Sequence, residues 1–277
     1  MFNMADALPN ILITGAAGAI GQVIRPALAL LSDLLRSADI SALQPVSDNE
    51  ECVTFDLRDF QSVRNAMEGI DIVFHFGGLS LEDDWALIRD INIDGTYNIF
   101  EAARQANVRR VVFASSNHVA GFYPRDFPVG PDVTPRPDSR YGISKVFGEA
   151  VGQLYADKHG LEVISLRIGQ FRPKPTNLRM LSLWLSHGDM ARLAESCVRA
   201  PQVAFEIVYG ISANSRAWYV NPGAERIGFV PRDNAEEYAG TLPAGALIET
   251  PVEAAFQGGP FCSAEFDSSR EVTRPRK

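Results

Sequence analysis

Cysteine is scarce in this sequence of 277 residues, and its three copies, Cys52, Cys197 and Cys262, stand far apart. An odd number without CxxC spacing excludes a disulfide framework and a cysteine-based zinc site, and it is typical of a reducing compartment. The four histidines also lack metal-ligand spacing. We therefore expect no metal and a cytoplasmic location.

Long apolar runs and an excess of positive charge are missing too. The apolar runs are of strand length, far short of the roughly 20 residues that a membrane span requires. The first ten residues, MFNMADALPN, contain an aspartate and no basic residue, so they predict no secretory signal. The net charge of −8 leaves no basic field to displace counterions from phosphates. We expect no membrane and no nucleic-acid partner.

What is present is an alternation of short apolar segments with amphipathic ones through about residue 168. The pattern predicts strands at residues 10–14, 34–39, 52–56, 71–76, 110–115 and 162–168. It predicts helices at residues 19–30, 60–67, 92–106 and 141–158. Continuous apolar strands separated by helices indicate a parallel sheet covered on both faces. The expected fold class is therefore α/β, with a Rossmann-type doubly wound parallel sheet.

The character of the sequence changes after residue 168, where Pro173 and Pro175 lie close together. A helix at residues 190–199, a strand at 204–208 and a short helical stretch near 234–239 are predicted beyond them. We expect residues 1–168 to form a dinucleotide-binding core and residues 169–265 a small substrate-binding lobe interwoven with it. Residues 266–277 are expected to be a loose tail.

The segment TGAAGAIG, residues 14–21, lies between the first predicted strand and helix. Gly15, Gly18 and Gly21 permit a tight turn and close approach of the backbone to a pyrophosphate at the helix N-terminus. Ala19 and Ile20 belong to the same predicted contact. The alternative is a glycine-rich turn that serves only helix–strand packing.

Asp39 ends the second predicted strand, where a carboxylate accepts hydrogen bonds from the adenosine ribose. It would repel the 2′-phosphate of NADP, and Ile40 and Ser41 follow it instead of a basic residue, although Arg36 is near. The pattern favours NAD. Asp56 and Leu57 are an expected adenine contact or, alternatively, a helix N-cap. Small residues after the fourth strand also let the chain approach the cofactor, in the segment Phe76, Gly77, Gly78.

Tyr141 and Lys145 open a predicted helix in the pentapeptide YGISK. Residues i and i+4 share one helix face, so the hydroxyl and the ammonium can share a small volume. We expect the ammonium and a positive nicotinamide to lower the pKa of Tyr141, which makes it a base for a substrate hydroxyl as hydride leaves the same carbon. Ser116, at the carboxyl edge of the fifth strand, is expected to hold the reacting oxygen.

Read in order, these motifs resemble the extended short-chain dehydrogenase/reductase family. They are TGAAGAIG, Asp39, Asp56-Leu57, the NxxGxxN stretch at 92–98, ASSN and YGISK. Within that family the chain resembles the uronate dehydrogenases. The segments that carry this closer resemblance are NEECVTFDL (49–57), FASSNHVAGFYP (113–124), GPDVTPRPDSRYGISK (130–145), NLRMLSLWLSH (177–187) and FQGGPF (256–261).

The resemblance implies NAD-dependent oxidation of the anomeric hydroxyl of cyclic D-glucuronate or D-galacturonate to an aldaro-lactone. It implies that Lys145 and Asn92 serve the cofactor and that Arg179 grips the C6 carboxylate. An arginine fork also suits a carboxylate on physical grounds. The implied substrate contacts are Ser80, Ser116, Asn117, His118, Tyr141, Gln170 and Arg179.

Gln170 departs from the small serine expected after the RIG of the sixth strand, so the preferred uronic acid is open. Family members commonly self-associate, and the helices at residues 92–106 or 141–158 would supply the interface of a homo-oligomer.

Three other functions are weighed. A nucleotide-sugar epimerase or dehydratase shares the glycine loop and the tyrosine–lysine pair, but it needs a larger C-terminal lobe than the residues after 168 supply. Another sugar dehydrogenase of the same family would bind a neutral sugar, which has no carboxylate for Arg179 to hold. A protein that senses NAD without turnover would have no need of a base such as Tyr141.

Overall fold

Parallel strands build the main sheet of the protein. A computed structural model describes residues 7–267, so the expected tail at 266–277 lies almost entirely outside the described residues. The strands of the sheet are β1 (Ile11–Thr14), β2 (Leu35–Asp39), β3 (Glu50–Thr54), β4 (Ile72–His75), β5 (Arg110–Ser116), β6 (Glu162–Ile168) and, further along the chain, β9 (Phe205–Gly210). Within the described residues their order is β3-β2-β1-β4-β5-β6-β9, all parallel. This confirms the predicted doubly wound α/β fold.

Helices cover both faces of the sheet. They are α1 (Ala19–Ala29), α2 (Phe60–Ala66), α3 (Trp85–Leu87), α4 (Gly95–Gln105), α5 (Arg140–His159), α6 (Met180–Leu183), α7 (His187–Arg199), α8 (Pro222–Arg226), α9 (Pro251–Ala255) and α10 (Pro260–Ser263). A π-helix at Ile88–Asp94 precedes α4, and 3-10 turns lie at Asn117–Ala120, Ala235–Thr241 and Ala244–Leu247. Each helix among the described residues is too short or too polar to cross a membrane.

The apolar core has one layer on each side of the sheet. On one face α1 packs on α7 through residues such as Leu28 and Leu193. On the other face α2, α4 and α5 bury Val63, Phe100 and Tyr155. The sheet strands read as continuous apolar runs because they are covered on both sides.

Several predicted boundaries are wrong. The helix predicted at 190–199 begins earlier, at His187. The third strand is Glu50–Thr54 rather than 52–56, because Glu50 is buried and paired with Arg25 at 2.6 Å, which a search for apolar residues misses. The predicted helix at 92–106 begins earlier, as the π-helix. The strand predicted at 204–208 is Phe205–Gly210.

The crevice of the fold lies where the strand order reverses. β1 pairs with β2 on one side and with β4 on the other. The chain therefore leaves the carboxyl ends of β1 and β4 in opposite directions, which opens a groove at that edge. After β6, the short strands β7 (Gln170–Phe171) and β8 (Trp184–Leu185) pair with each other beside this groove.

Candidate active site

A cleft of about 510 Å³ follows the carboxyl edge of the sheet. Its walls come from the loops after β1, β2, β3, β4, β5 and β6. It brings together the predicted cofactor, catalytic and substrate residues except Asn92 and Arg179, which lie behind its wall. Residues far apart in the sequence thus meet in one groove.

The backbone of the glycine loop packs so closely on its neighbours that a side chain at Gly15 or Gly21 would collide with them. A Cβ at Gly15, whose φ is +73°, would lie 2.6 Å from the backbone of Phe76, and a Cβ at Gly21 would lie 2.5 Å from the Gly15 carbonyl oxygen. Gly18 begins α1 without a side-chain cap, so backbone N–H groups at this helix start are open to an anion. The loop therefore fits the pyrophosphate of a dinucleotide.

The adenosine end of the cleft carries a fixed carboxylate. The N–H groups of Ala17 and Ser41 donate to Asp39 at 2.9 and 3.0 Å, which holds its oxygens at the end of β2. Arg36 is engaged elsewhere, with Glu51 and with the carbonyl oxygens of residues 66 and 68. A 2′-phosphate would thus meet the carboxylate without help from Arg36.

Two charged neighbours at this end are already paired. Arg58 lines the cleft and makes a two-pronged contact with Asp56, whose Oδ2 accepts from Nη2 at 2.6 Å. This pair lowers the pKa of Asp56. Asp56 is therefore held in an ion pair at this end of the cleft, and its contact with adenine stays a prediction. The cap of α2 comes from Asp59.

Asn92 supports the loop after β4 rather than lining the cleft. Its Oδ1 accepts from the N–H of Leu79 at 2.8 Å, and its Nδ2 donates to the Leu79 carbonyl at 3.0 Å and to Ser144 at 3.2 Å. A Cβ at Gly78 would lie 2.7 Å from that same Oδ1. Asn92 thus fixes the backbone of Gly78 and Ser80, and a direct contact with cofactor stays a prediction.

Tyr141, Ser116 and Lys145 meet at the centre of the cleft. The Ser116 oxygen accepts from the N–H of His118 at 3.2 Å and is hydrogen-bonded to the Tyr141 hydroxyl. Lys145 Nζ lies 5.4 Å from the centre of the Tyr141 ring and 5.2 Å from that of Phe113. The i, i+4 spacing on α5 produces this neighbourhood.

The pKa of Tyr141 in the polypeptide is raised, whereas the sequence analysis expected it to be lowered. Burial raises the pKa of Tyr141 to about 12, the Ser116 hydrogen bond works to lower it, and the charge of Asp138 raises it further. Burial also lowers the pKa of Lys145 to about 8. Burial thus prevails over the Ser116 hydrogen bond, and the expected lowering of the Tyr141 pKa is not found in the polypeptide alone.

The start of α5 is held from two directions. Ser139 caps the helix by accepting from the N–H of Gly142 at 2.9 Å. Glu82, from the loop after β4, accepts from the N–H of Tyr141 at 2.8 Å and pairs with the Arg140 side chain at 2.6 Å. These contacts fix the helix turn that carries Tyr141, and the sequence pattern gave no sign of Glu82.

Four predicted substrate residues line the far end of the cleft, namely Ser80, Asn117, His118 and Gln170. The Oε1 of Gln170 is buried and has no hydrogen-bond partner among the described residues. Exposed Arg172 lines the same end, and the sequence analysis did not single it out.

Arg179 lies directly behind Asn117 and is 2% exposed. Its Nε donates to the Gln257 carbonyl at 2.6 Å, and its Nη2 donates at 2.7 Å to the Asn117 amide oxygen when that amide also donates to Ile168. Its Nη1 is buried without a partner among the described residues. Gly259, with a φ of +61°, passes over it, and a Cβ there would lie 2.6 Å from Arg179 Cδ.

Phe261 completes this end of the cleft, although sequence reasoning assigned it no role. Its ring stacks on His118 with centroids 3.9 Å apart and lies 6.1 Å from the ring of Tyr141. The segment FQGGPF therefore closes over both Arg179 and Tyr141. These contacts join parts of the chain that lie far apart in the sequence, so no local pattern reveals them.

These features together belong to one class of protein. The glycine cradle and the fixed carboxylate at the ribose end fit NAD, and a tyrosine beside a serine and a lysine suits proton transfer at an alcohol carbon. The chain is an NAD-dependent dehydrogenase of the short-chain type.

The comparisons with known proteins agree with this class. Residues 11–187 match the model of the NAD dependent epimerase/dehydratase family. The chain is 44% identical to a uronate dehydrogenase of Agrobacterium fabrum, over 92% of this chain and 97% of that protein. It is 42% identical to a uronate dehydrogenase of Pseudomonas putida, over 92% of this chain and 96% of that protein.

A solved structure of a mutant uronate dehydrogenase from Agrobacterium tumefaciens, complexed with NAD, matches with a TM-score of 0.88 at 41% identity, covering 97% of this chain and 100% of that one. The chain belongs to the NAD dependent epimerase/dehydratase family, in which these relatives are uronate dehydrogenases. The predicted enzyme class and cofactor are confirmed.

Proposed function

We propose that this enzyme oxidises the C1 hydroxyl of a cyclic hexuronic acid, D-glucuronate or D-galacturonate, to the aldaro-lactone. The observation that carries the substrate class is Arg179, a buried guanidinium directly behind Asn117. Asn117 lines the cleft, and one nitrogen of Arg179 has no partner among the described residues. A buried cation needs a counter-charge, and a sugar carboxylate supplies one with matching fork geometry.

In the proposed reaction Ser116 holds the C1 oxygen and directs it toward Tyr141. Tyr141, as the phenolate, takes the proton of the C1 hydroxyl at its Oη. Lys145 would hold the nicotinamide ribose and steady the Tyr141 side chain. NAD, when bound, accepts the hydride from C1. Phe261 covers the reacting centre, and Ser80, Asn117 and Gln170 contact the remaining hydroxyls.

Three further assignments accompany this proposal. We place substrate selection in residues 169–265, which contribute Gln170, Arg179 and Phe261, and we place the enzyme in the cytoplasm, where its three free cysteines are stable. We also expect a homo-oligomer formed through α4 and α5, whose exposed side chains include Tyr97, Ile143 and Leu154.

Replacing the carboxylate clamp tests the substrate class. Arg179→Met keeps much of the apolar volume but removes the charge, so kcat/KM for glucuronate should fall by about 100-fold or more, in line with the loss of a charge-assisted, two-pronged contact. NADH formation measured by absorbance checks this, with NAD affinity determined separately by fluorescence titration.

Arg172→Met is the matched control because Arg172 is the other arginine at this end of the cleft. We expect it to change kcat/KM for glucuronate by less than about threefold. A large loss of kcat/KM in Arg172→Met, together with normal activity in Arg179→Met, would contradict the proposal. It would mean that the exposed Arg172 binds the substrate carboxylate.

A further inference from the structure

His118 is held rigidly at the edge of the cleft. It belongs to the 3-10 turn Asn117–Ala120 that follows β5, and its ring is 7% exposed. Phe261 stacks on one face with an interplanar angle of 28°, and Tyr141 meets the ring edge-on at 5.9 Å. The ring therefore cannot turn without displacing the groups that cover the reacting centre.

Asp138 is the hydrogen-bond partner of His118. Its Oδ2 lies 2.7 Å from His118 Nδ1, and its side chain is fully buried. Its other oxygen accepts from the Ser139 hydroxyl at 2.9 Å. A Cβ at either Gly121 or Gly258 would overlap Asp138 Oδ2. Two glycines thus leave a space that fits this carboxylate and nothing longer.

The protonation state of His118 follows from its surroundings. Burial lowers the pKa of His118, while the charge and hydrogen bond of Asp138 raise it; Arg179 lowers it and Glu82 raises it. Burial prevails, so the ring carries one proton near pH 7. Because a carboxylate can only accept a hydrogen bond, that proton lies on Nδ1.

We propose that Asp138 is a positioning residue that fixes His118 as the Nδ1–H tautomer, so that Nε2 accepts a hydrogen bond from a ring hydroxyl of the sugar. The inference rests on the proposed function for the identity of the ligand. It assigns a role to a carboxylate that lies outside the cleft and that no sequence motif marks. His118 then binds a sugar hydroxyl that takes no part in the reaction. Loss of this hydrogen bond should therefore weaken substrate binding more than it slows the chemical step.

The tautomer is testable without turnover. Histidine labelled with ¹⁵N should show one ring in the wild-type enzyme with a protonated Nδ1 and a pyridine-type Nε2, and this signal should vanish in His118→Gln. In Asp138→Asn, the downfield Nδ1 proton should be lost or strongly shifted. A wild-type His118 protonated on Nε2 would overturn the proposal, and this measurement does not depend on the uronate assignment.

Kinetics test the consequence. Asp138→Asn should raise KM for the uronate by roughly 10-fold, the size of one lost hydrogen bond to a buried acceptor, while KM for NAD stays within about twofold. His118→Gln should give a similar rise, and the double variant no more than the larger single effect, because both changes remove the same contact. Additive losses in the double variant would contradict the proposal.

Cys262→Ala is the matched control. Its Sγ lies 3.9 Å from the same Oδ2, so it disturbs the same pocket and leaves the His118 contact in place. We expect KM for the uronate to change by less than about twofold. A rise equal to that of Asp138→Asn would mean that general packing, not the tautomer, carries the effect. If Asp138→Asn does not fold, the wild-type ¹⁵N spectrum and the His118→Gln variant still determine which ring nitrogen of His118 is protonated.

Discussion

At the residue scale, burial opposes the charged forms of both ionisable groups that the proposed reaction uses. It raises the pKa of Tyr141 to about 12 and lowers that of Lys145 to about 8. The ammonium of Lys145 is thus kept at neutral pH at a cost in folding free energy, only partly offset by the nearby rings of Phe113 and Tyr141.

This cost predicts that Lys145→Met stabilises the fold while removing activity. The unfolded side chain titrates near 10.5 and the folded one near 8. The unfolded state therefore binds more protons between these values, so the penalty is fully present below about pH 8 and disappears toward pH 10.5. We expect the variant to unfold several °C higher at pH 7, with the difference shrinking at pH 10.

Thermal unfolding at the two pH values measures this. Lys158→Met is the control, because Lys158 is exposed near the end of the same helix and should change the midpoint by less than about 1 °C. A midpoint for Lys145→Met below that of the wild type at pH 7 would show that the charged form is favoured by its surroundings.

Sequence reasoning finds the proposed catalytic pair but not the residues that support it. Tyr141 and Lys145 are found because a helix period brings them together within one turn. Asp138 and Phe261 are not found, since their contacts with His118 join loops that are separate in the sequence. Such contacts leave no period in the sequence.

At the element scale, apolar patterns locate regular strands and helices, including the starts of α1, α2 and α5, but they miss irregular elements. The strand β5 is buried throughout, so its run of apolar and small residues is readable. The segment Ile88–Asp94 adopts a π-helix, in which the 3.6-residue period fails, and this places Asn92 against the loop after β4. β7 and β8 are two residues each, too short for any periodic signal.

The exposed face of α5 tests the expected oligomer. Ile143 and Leu154 are 46% and 49% exposed on this helix, and Tyr97 of neighbouring α4 is 48% exposed. If a second copy covers them, replacing both α5 residues by aspartate should produce a particle of the 30.3 kDa chain mass in sedimentation velocity.

Leu30→Asp is the control for that experiment. Leu30 is 82% exposed at the end of α1, away from this face, and its replacement should leave the association state unchanged. A wild-type chain that sediments as a monomer would contradict the expected association directly.

At the scale of the whole molecule, the two parts of the chain interlock. Residues beyond 168 return to the main sheet as β9, and α7 packs against α1, on the far side from α4 and α5. The 3-10 turn Ala235–Thr241 corresponds to the short helical stretch predicted near residues 234–239. The short helices α8 to α10 follow irregular sequence rich in glycine and proline, and the sequence analysis predicted none of them. The groove depends on both parts, because Gln170, Arg179 and Phe261 meet residues from the first 145.

The most direct test of the account is NADH formation by the wild-type enzyme on matched sugars. Glucuronate and galacturonate should be oxidised rapidly with NAD. Glucose and galactose, which carry a hydroxymethyl group in place of the carboxylate, should react with kcat/KM lower by about 100-fold or more. Equal rates for acids and neutral sugars, or no reduction of NAD by either uronate, would contradict it.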